Sequence, residues 1–323
     1  MIGKADEIIR QVARTKVLVA GSINHDLFIH VDRIPPDDGT AEIRSFGTGF
    51  GGHGANCAVA AARLGACTQL IGAIGDDLHG KELCNDLNTN RVDTSAIAVD
   101  AQRQTGSVVI PSSPTGRYML MHRGANDANL DWSARLSKLD PTEFDVVILM
   151  DPGLGLTDAI LSRLKAQSRP RLVWAPGGLF ASFERFSRIS QIADTIILNR
   201  REYQATFGEA VAALVESGPR ADCDVVVTIG PQGALLFDRS GNRIFSPAFD
   251  VSVVDETGAG DAFVAAYSIA RSLERASDLD RLRLANMAGG LATTGVGARA
   301  GHCSFASLLA ALSRTTVVSS ALA

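Results

Sequence analysis

The 323-residue sequence has few cysteines, few aromatic residues and no long apolar run. Its five cysteines are odd in number and show no C-x-x-C spacing, so neither a disulfide framework nor a cysteine zinc site is expected. The six histidines include no H-E-x-x-H or similar ligand pair. No apolar run approaches the ~18 residues of a membrane span, and residues 1–15 lack the apolar centre of a signal peptide. We therefore expect a cytoplasmic protein with reduced cysteines that binds no membrane.

Charge of one sign is not concentrated anywhere. The sequence has 31 basic and 35 acidic residues, a net charge of −4 and no dense basic run, which argues against nucleic-acid binding. With 46% hydrophobic and 20% charged residues, the composition is typical of a globular protein with a large core. The length suits one large α/β domain or two smaller ones.

Short apolar runs alternate with helical patterns along most of the chain. This alternation predicts a three-layer α-β-α fold around a central, mostly parallel sheet. Segments 27–50 and 102–123 have alternating polarity and turn residues, and they predict a small β-sheet that forms a lid. We expect an N-terminal extension at 1–15, one domain at 16–313 and a tail at 314–323. The main predicted strands cover 16–21, 70–75, 146–150, 195–199 and 225–230, and the main predicted helices cover 54–64, 77–90 and 285–292.

The sequence DETGAGD, at residues 255–261, precedes the apolar run AFVAAYSIA. Gly258, Ala259 and Gly260 let backbone N–H groups converge on an anion, and the following helix adds the positive end of its dipole. Asp261 would lie in the first turn of that helix. A hydroxyl beside Asp261 and a phosphoryl group on the turn would be the two halves of a kinase reaction. The alternative is an ordinary strand-to-helix turn that an aspartate caps.

A second glycine-rich segment, GTGFGG at 47–52, contains G-x-G-x-x-G. Dinucleotide binding is disfavoured, because the segment before it is not a buried strand and no acid follows ~20 residues on at a strand end. The longer string GGHGANCAVAAARLG, at 51–65, pairs a flexible turn with an amide side chain at a helix start. A nicotinamide oxidoreductase is therefore a weak hypothesis.

The strings GGHGAN and DETGAGD resemble the N-terminal and C-terminal signatures of the ribokinase-like (PfkB-type) carbohydrate kinases. Four further segments match family blocks in the same order: GSINHDL, GDD, NRRE and TIGPQG. The resemblance extends over about residues 16–301. It implies ATP and Mg²⁺ as cofactors, K⁺ as a further ion, and a homodimer that forms through the lid.

The resemblance also implies a role for individual residues. Asp261 would be the general base, and Gly258, Ala259 and Gly260 would form the anion hole. The implied substrate-binding residues are Asn24, Asp26, Gly51, Gly52, His53 and Asn56. The implied ATP contacts are Asn199, Thr228, Gly230, Gly233, Gly260 and Asn286. The implied metal contacts are Glu202, which holds Mg²⁺ through water, and Asp255, Thr257 and Gly297 around a monovalent cation.

Several of these residues have simpler explanations. Asn24 and Asp26 also fit a polar turn after the first strand. Asn199 and Glu202 also fit the capping of a helix N-terminus, because the two residues are three positions apart. Asn286 lies in a small-residue helix, where a single asparagine is usually a packing residue.

Two departures from the family pattern leave the substrate open. His53 stands where ribokinases usually carry lysine, and Asp151 begins a segment where many carry a glutamate. The leading hypothesis is transfer of the ATP γ-phosphoryl group to a primary hydroxyl of a sugar. The alternative is a nucleoside kinase of the same fold, with an open or aromatic pocket near Phe28, Phe46 and Phe50. A third hypothesis is a non-catalytic regulator that binds a sugar or a nucleotide. The presence of Asp261, the implied general base, argues against it.

Overall fold

The chain folds around two β-sheets in a computed structural model that describes residues 5–164, 170–208, 219 and 221–317. The strands are β1 (Lys16–Gly21), β2 (Asn24–Val31), β3 (Ile43–Gly51), β4 (Cys67–Gly75), β5 (Ile97–Asp100), β6 (Gly106–Ser113), β7 (Gly116–Arg117), β8 (Leu120–His122), β9 (Val146–Met150), β10 (Arg171–Ala175), β11 (Thr195–Asn199), β12 (Asp224–Thr228), β13 (Ala234–Phe237) and β14 (Arg243–Ser246). The α-helices are α1 (Ala5–Arg14), α2 (His53–Leu64), α3 (Leu78–Thr89), α4 (Trp132–Leu136), α5 (Leu154–Leu164), α6 (Phe183–Ser190), α7 (Arg200–Phe207), α8 (Ala259–Ala270), α9 (Asp278–Ala292) and α10 (Phe305–Arg314).

The larger sheet has nine strands within the described residues, in the order β14-β13-β12-β11-β10-β9-β1-β4-β5. Neighbouring strands from β12 to β5 are parallel, whereas β13 and β14 run antiparallel. Every residue of β9 is buried and apolar, because helices cover both faces of a parallel sheet. The prediction of a central, mostly parallel sheet is confirmed.

Alternate residues of each strand point to opposite faces of this sheet. Val17 and Val19 pack into one apolar core, and Leu18 and Ala20 pack into the other. Helices α1, α2, α3, α8, α9 and α10 cover the first face, and α4 to α7 cover the second. The three-layer α-β-α prediction is therefore confirmed. No helix in the described part of the chain combines the length and apolarity needed to cross a membrane.

The smaller sheet has the order β3-β2-β6-β7, and β8 pairs with β6 on the same edge as β7, at residues 107–109. Only two residues separate the end of β1 at Gly21 from the start of β2 at Asn24, so the small sheet follows directly on a central strand of the large sheet. It occupies 24–51 and 106–122, close to the predicted 27–50 and 102–123.

Some elements differ from the sequence prediction. Strand β5 and helix α10 were not predicted, and β5 is only four residues long, too short for a clear periodicity. Helix α9 begins at Asp278 rather than at 285, because Ser277 and Asp280 form a capping box there. The extension at 1–15 contains α1, whose Ile8 and Val12 join the main core. Residues 1–4 and the 318–323 part of the predicted tail lie outside the described residues.

Candidate active site

The predicted site residues gather where the parallel strands end. Strand β1 ends at Gly21 and β9 at Met150, and the N-terminal ends of α2 and α8 lie close to these ends. In open α/β sheets, ligands bind in the crevice outside the carboxyl ends of the strands. We therefore expect the reaction centre at this edge of the large sheet.

In the turn before α8, the backbone passes close to the backbone of Ala298. Gly258 is the N-cap of α8 with φ 80°, and a Cβ there would lie 2.2 Å from the carbonyl oxygen of Ala298. Glycine is therefore required on both conformational and steric grounds. The first N–H groups of a helix lack intrahelical partners and carry the positive end of its dipole, so the turn at 258–260 is suited to an anion.

Asp261 follows this turn and is 5% exposed. Its Oδ2 accepts a hydrogen bond from Nδ2 of Asn56 at 2.9 Å, and Oδ1 of Asn56 accepts one from Nε of Arg299 at 2.9 Å. Arg299 also forms an ion pair with Asp86. Burial raises the pKa of Asp261 above its ordinary value, against the lowering effects of His53, Asn56 and Arg299. The carboxylate is thus oriented by a hydrogen-bonded row and has an increased affinity for a proton.

The two residues predicted to bind substrate at the start of β2 share one face of that strand. Asn24 and Asp26 are both buried and two positions apart. Nδ2 of Asn126 donates to Oδ1 of Asn24 at 2.8 Å. Gly51 and Gly52 make room beside them: a Cβ on Gly51 would lie 2.1 Å from Oδ2 of Asp26, and Gly52 has φ 92°.

The carboxylate of Asp26 is poorly satisfied. Its Oδ1 has no hydrogen-bond partner among the described residues. Burial raises the pKa of Asp26 to about 7, although Arg299 and His53 act to lower it. A buried carboxylate that lacks donors favours a ligand with donor groups, and neighbouring hydroxyls supply them.

His53, the first residue of α2, faces an acid. Its Nδ1 lies 3.9 Å from Oδ2 of Asp151, and Nη1 of Arg123 donates to the same oxygen at 2.9 Å. Partial desolvation lowers the pKa of His53, but the carboxylates of Asp261, Asp151 and other acids raise it more, so it lies above its ordinary value. The structure therefore places Asp151 next to the residue that replaces the expected lysine, and the two departures from the family pattern meet at one point.

The residues predicted around a monovalent cation form one hydrogen-bonded group. Oδ1 of Asp255 accepts from the N–H and the hydroxyl of Thr257 at 3.0 and 2.6 Å, and Oδ2 accepts from the N–H of Gly297 at 2.9 Å. Both carboxylate oxygens already accept hydrogen bonds, so a cation there would share them or use nearby carbonyls. The guanidinium of Arg117, on β7, reaches the hydroxyl of Thr257 at 3.3 Å.

The predicted nucleotide turn follows β12. Thr228 ends that strand, and Gly230 and Gly233 have φ of 62° and 115°. A Cβ on Gly233 would lie 2.1 Å from the carbonyl oxygen of Ser246. Nδ2 of Asn286 donates to that carbonyl at 2.9 Å and to the hydroxyl of Ser246 at 3.0 Å. Asn286 thus ties α9 to the end of β14, and its contact with adenine stays a prediction.

Asn199 and Glu202 form a capping box at the start of α7. Oδ1 of Asn199 accepts from the N–H groups of Arg201 and Glu202 at 2.9 and 3.0 Å, and Oε2 of Glu202 accepts from the N–H of Asn199 at 2.9 Å. The capping explanation is therefore confirmed. Burial raises the pKa of Glu202. Its second carboxylate oxygen is outside the box, which fits an indirect contact to Mg²⁺, since that ion keeps several of its waters.

Sequence reasoning missed several side chains that complete the pocket. They are Arg117 in the small sheet, Arg123 and Asn126 at the 3-10 turn Gly124–Asp127, and Arg299 in the turn after α9. The run GVGARAGH gave no signal for Arg299, because an arginine in a turn is usually exposed unless it is paired.

The chain is similar to known proteins over nearly its whole length. Residues 14–303 match the family model described as pfkB family carbohydrate kinase. The chain is 29% identical over 288 residues to the ribokinase of Bacillus subtilis, covering 88% of this chain and 95% of that protein. It is 31% identical over 292 residues to the ATP-dependent ribose-1-phosphate kinase of Halopiger xanaduensis, covering 88% of this chain and 94% of that protein.

Solved structures share the fold at lower identity. The ribokinase of Cryptococcus neoformans in complex with ADP has a TM-score of 0.78 at 24% identity and covers 92% of this chain and 99% of that one. The nucleoside kinase of Burkholderia thailandensis in complex with inosine has a TM-score of 0.74 at 18% identity and covers 92% of this chain and 97% of that one. The likeness to these two structures is one of fold.

Proposed function

The chain belongs to the pfkB family of carbohydrate kinases and is an ATP-dependent carbohydrate kinase, and from that premise we propose that it phosphorylates a primary hydroxyl of a sugar, with Asp261 as general base. One observation carries this proposal. A buried carboxylate lies in the first turn of α8, directly after the glycine turn at 258–260. The proton acceptor and the phosphoryl site therefore share one helix start, which puts hydroxyl and γ-phosphate side by side.

In the proposed reaction, the sugar oxygen attacks the γ-phosphorus of ATP. The hydroxyl proton passes to Asp261, a new O–P bond forms, and the bond from the γ-phosphorus to the bridging oxygen breaks to release ADP. The transition state of such a transfer is loose, so positioning and charge stabilisation supply most of the catalysis. The N–H groups at 258–260 would stabilise the charge on the transferred group.

The substrate side of the proposed site rests on Asp26. Its buried Oδ1 has no partner among the described residues, and an ionised carboxylate accepts hydrogen bonds from two adjacent hydroxyls. Asn24 shares its strand face, and His53 with Asp151 supplies a charged pair nearby. A polyhydroxy compound supplies the donors that this pocket lacks.

In this proposal, ATP binds at the turn after β12. Mg²⁺ bound with ATP would supply charge neutralisation at the phosphates, and Glu202 would orient one of its waters. A K⁺-type cation would act by ordering the turn before α8. The residues proposed to contact ATP and its ions are Asn199, Thr228, Gly230, Gly233, Gly260, Asn286, Glu202, Asp255, Thr257 and Gly297.

A nucleoside acceptor is the second candidate. Strand β3 pairs with β2 so that the face bearing Asn24, Asp26 and Phe28 is continued by glycines. These glycines are Gly47, Gly49 and Gly51. A Cβ on Gly49 would lie 3.0 Å from the ring of Phe28, whereas nothing lies within 4 Å of one on Gly47, which leaves space beside Phe28 where a base could stack. Phe46 and Phe50 alternate with the glycines and face the other side, so of the three phenylalanines named for this region Phe28 is the one that shares a face with Asn24 and Asp26.

An acceptor panel with ADP release coupled to NADH oxidation tests these candidates. The panel contains ribose, ribose 1-phosphate, fructose, a ketodeoxy acid, adenosine and inosine, with ATP alone as the blank. We expect turnover with at least one of the sugars or sugar derivatives. Turnover with nucleosides alone would replace the sugar proposal by the nucleoside one, and no turnover above the blank with any acceptor would contradict both.

A further inference from the structure

We propose that His25, His79 and Glu82 bind a divalent transition-metal ion of the zinc type, at a site separate from the substrate pocket. One potential ligand atom from each side chain lies within 4.8 Å of the other two. The three residues come from two different elements, β2 and α3. The proposed reaction uses none of them.

The strand geometry puts His25 on the side of β2 away from the substrate. It stands between Asn24 and Asp26, and successive side chains of a strand point to opposite faces. On its own side, the ring of His25 stacks on that of His79, with 3.9 Å between centroids and 21° between planes. His79 and Glu82 are three residues apart on α3, and Nδ1 of His79 lies 3.7 Å from Oε2 of Glu82.

The state of His25 gives an independent reason to expect a ligand. The residue is 6% exposed, and its Nδ1 is buried without a hydrogen-bond partner in the part of the chain that the structure describes. Burial of a polar atom without a partner is unfavourable, and such atoms usually indicate a missing water, ion or ligand.

The start of α3 is held firmly, so that the second half of the site has a defined position. Asp77 caps this helix by accepting from the N–H of Gly80 at 2.8 Å. The same carboxylate accepts from the N–H and the hydroxyl of Thr105 at 2.7 and 2.6 Å, just before β6. His79 and Glu82 follow directly on the anchored turn.

The donor set selects the class of ion. Two imidazoles and one carboxylate, with a remaining position for water, are a common zinc set, whereas Mg²⁺ and Ca²⁺ prefer oxygen ligands alone. Metal–ligand distances of about 2.0–2.2 Å require ligand atoms roughly 3.3 Å apart. An imidazole nitrogen binds a metal in the plane of its ring, so the His79 ring has to turn out of its stack on His25 when the ion binds. The side chains of His79 and Glu82 are half-exposed, at 50% and 45%, which leaves room for that rotation.

A bound ion would join β2, in the small sheet, to α3, which packs on the large sheet. Because Asn24 and Asp26 flank His25 in β2, the ion would also restrict the strand that carries the proposed sugar contacts. Metal that binds only the folded chain raises its unfolding temperature by mass action. The proposal is independent of which acceptor the enzyme uses.

Calorimetric titration of the chelator-treated, ATP-free protein with ZnCl₂ tests the proposal. We expect one zinc per chain at this site, with affinity reduced roughly tenfold or more in His79→Ala and in Glu82→Gln, since even indirect partners of a metal site are worth 10–100-fold. His30→Ala is the matched control, because His30 is a histidine of the same strand outside the cluster. Titration with CoCl₂ should give a visible absorption band that the two site variants lose and the control keeps.

Two results would overturn the proposal. One is the absence of zinc binding in the unaltered protein. The other is zinc binding of equal affinity in the unaltered protein, His79→Ala and Glu82→Gln, which would locate the zinc elsewhere. Circular dichroism of each variant checks that the fold is retained.

Discussion

At the scale of the residue, a buried row of side chains controls the proposed base. Asn56 lies between Asp261 and Arg299, and because Nε of Arg299 donates to Oδ1 of Asn56, Nδ2 must face the carboxylate. Arg299 is 9% exposed and acts to lower the pKa of both Asp261 and Asp26. The arginine thus orients Asn56 and favours the ionised state of both acids.

Replacement of this arginine should change the pH dependence of the enzyme. In the proposed reaction Asp26 and Asp261 act in their ionised forms, so kcat/KM should fall as the pH falls through their raised pKa values. In Arg299→Met the acid limb should move to higher pH by about one unit, the effect of a nearby opposite charge. Arg299→Lys keeps the charge but loses the planar geometry, so it should keep the limb near its original pH at a lower kcat. An acid limb that does not move in Arg299→Met would contradict this role.

At the scale of the element, the small sheet touches the proposed reaction centre through cations. Arg117 of β7 reaches the hydroxyl of Thr257 beside the glycine turn. Arg123, just after β8, pairs with Asp151 at 2.9 Å. Both arginines reach the site from the β7–β8 part of the small sheet. The position of the small sheet therefore determines whether their positive charge lies over the site.

Arg117→Ala should lower kcat by about 10–100-fold, the loss expected for one hydrogen bond from a charged group. The measurement is turnover at saturating ATP and acceptor. Arg44→Ala is the matched control, because Arg44 is also in the small sheet, and its ion pairs within the described residues are with the exposed acids Asp32 and Glu42. An equal effect of both substitutions would mean that Arg117 acts through the stability of the sheet and not at the site.

Elements and contacts differ in how far the sequence alone predicts them. The bounds of β1, β9 and β11 follow from uninterrupted apolar runs, and the turn at 258–260 with Asp261 was predicted because its parts are contiguous. Arg299 was missed because its contact with Asn56 joins residues 243 positions apart. The face that Phe46 occupies could not be predicted from the sequence, because the pairing of β3 with β2 decides it.

At the scale of the whole molecule, the face of the small sheet opposite Asn24 and Asp26 is largely apolar, and beyond His25, which α3 covers, much of it is exposed. Strand pairing puts Leu27, Ile29, Phe46, Phe50 and Leu120 on this face. Phe46 is 61% exposed and Leu120 is 59% exposed. Exposed apolar patches of this kind mark interaction sites. We propose that a second copy of the chain covers this face in a homodimer.

Light scattering coupled to size exclusion tests the dimer. The unaltered protein should have twice the mass of one chain, and Phe46→Glu should have the mass of one chain, because a charge in an apolar interface is costly to bury. Leu154→Glu is the control, an equally apolar exposed residue on α5 that should stay dimeric. A monomeric unaltered protein would contradict the proposal.

The most direct test of the proposed reaction is the turnover of Asp261→Asn. Asparagine keeps the shape of the side chain but cannot accept the hydroxyl proton, so kcat should fall by ~10²–10⁴ while calorimetry still shows ATP binding. Asp250→Asn, the same change at an exposed position before the turn, should turn over like the unaltered enzyme. Undiminished turnover in Asp261→Asn would contradict the assignment of Asp261 as the base.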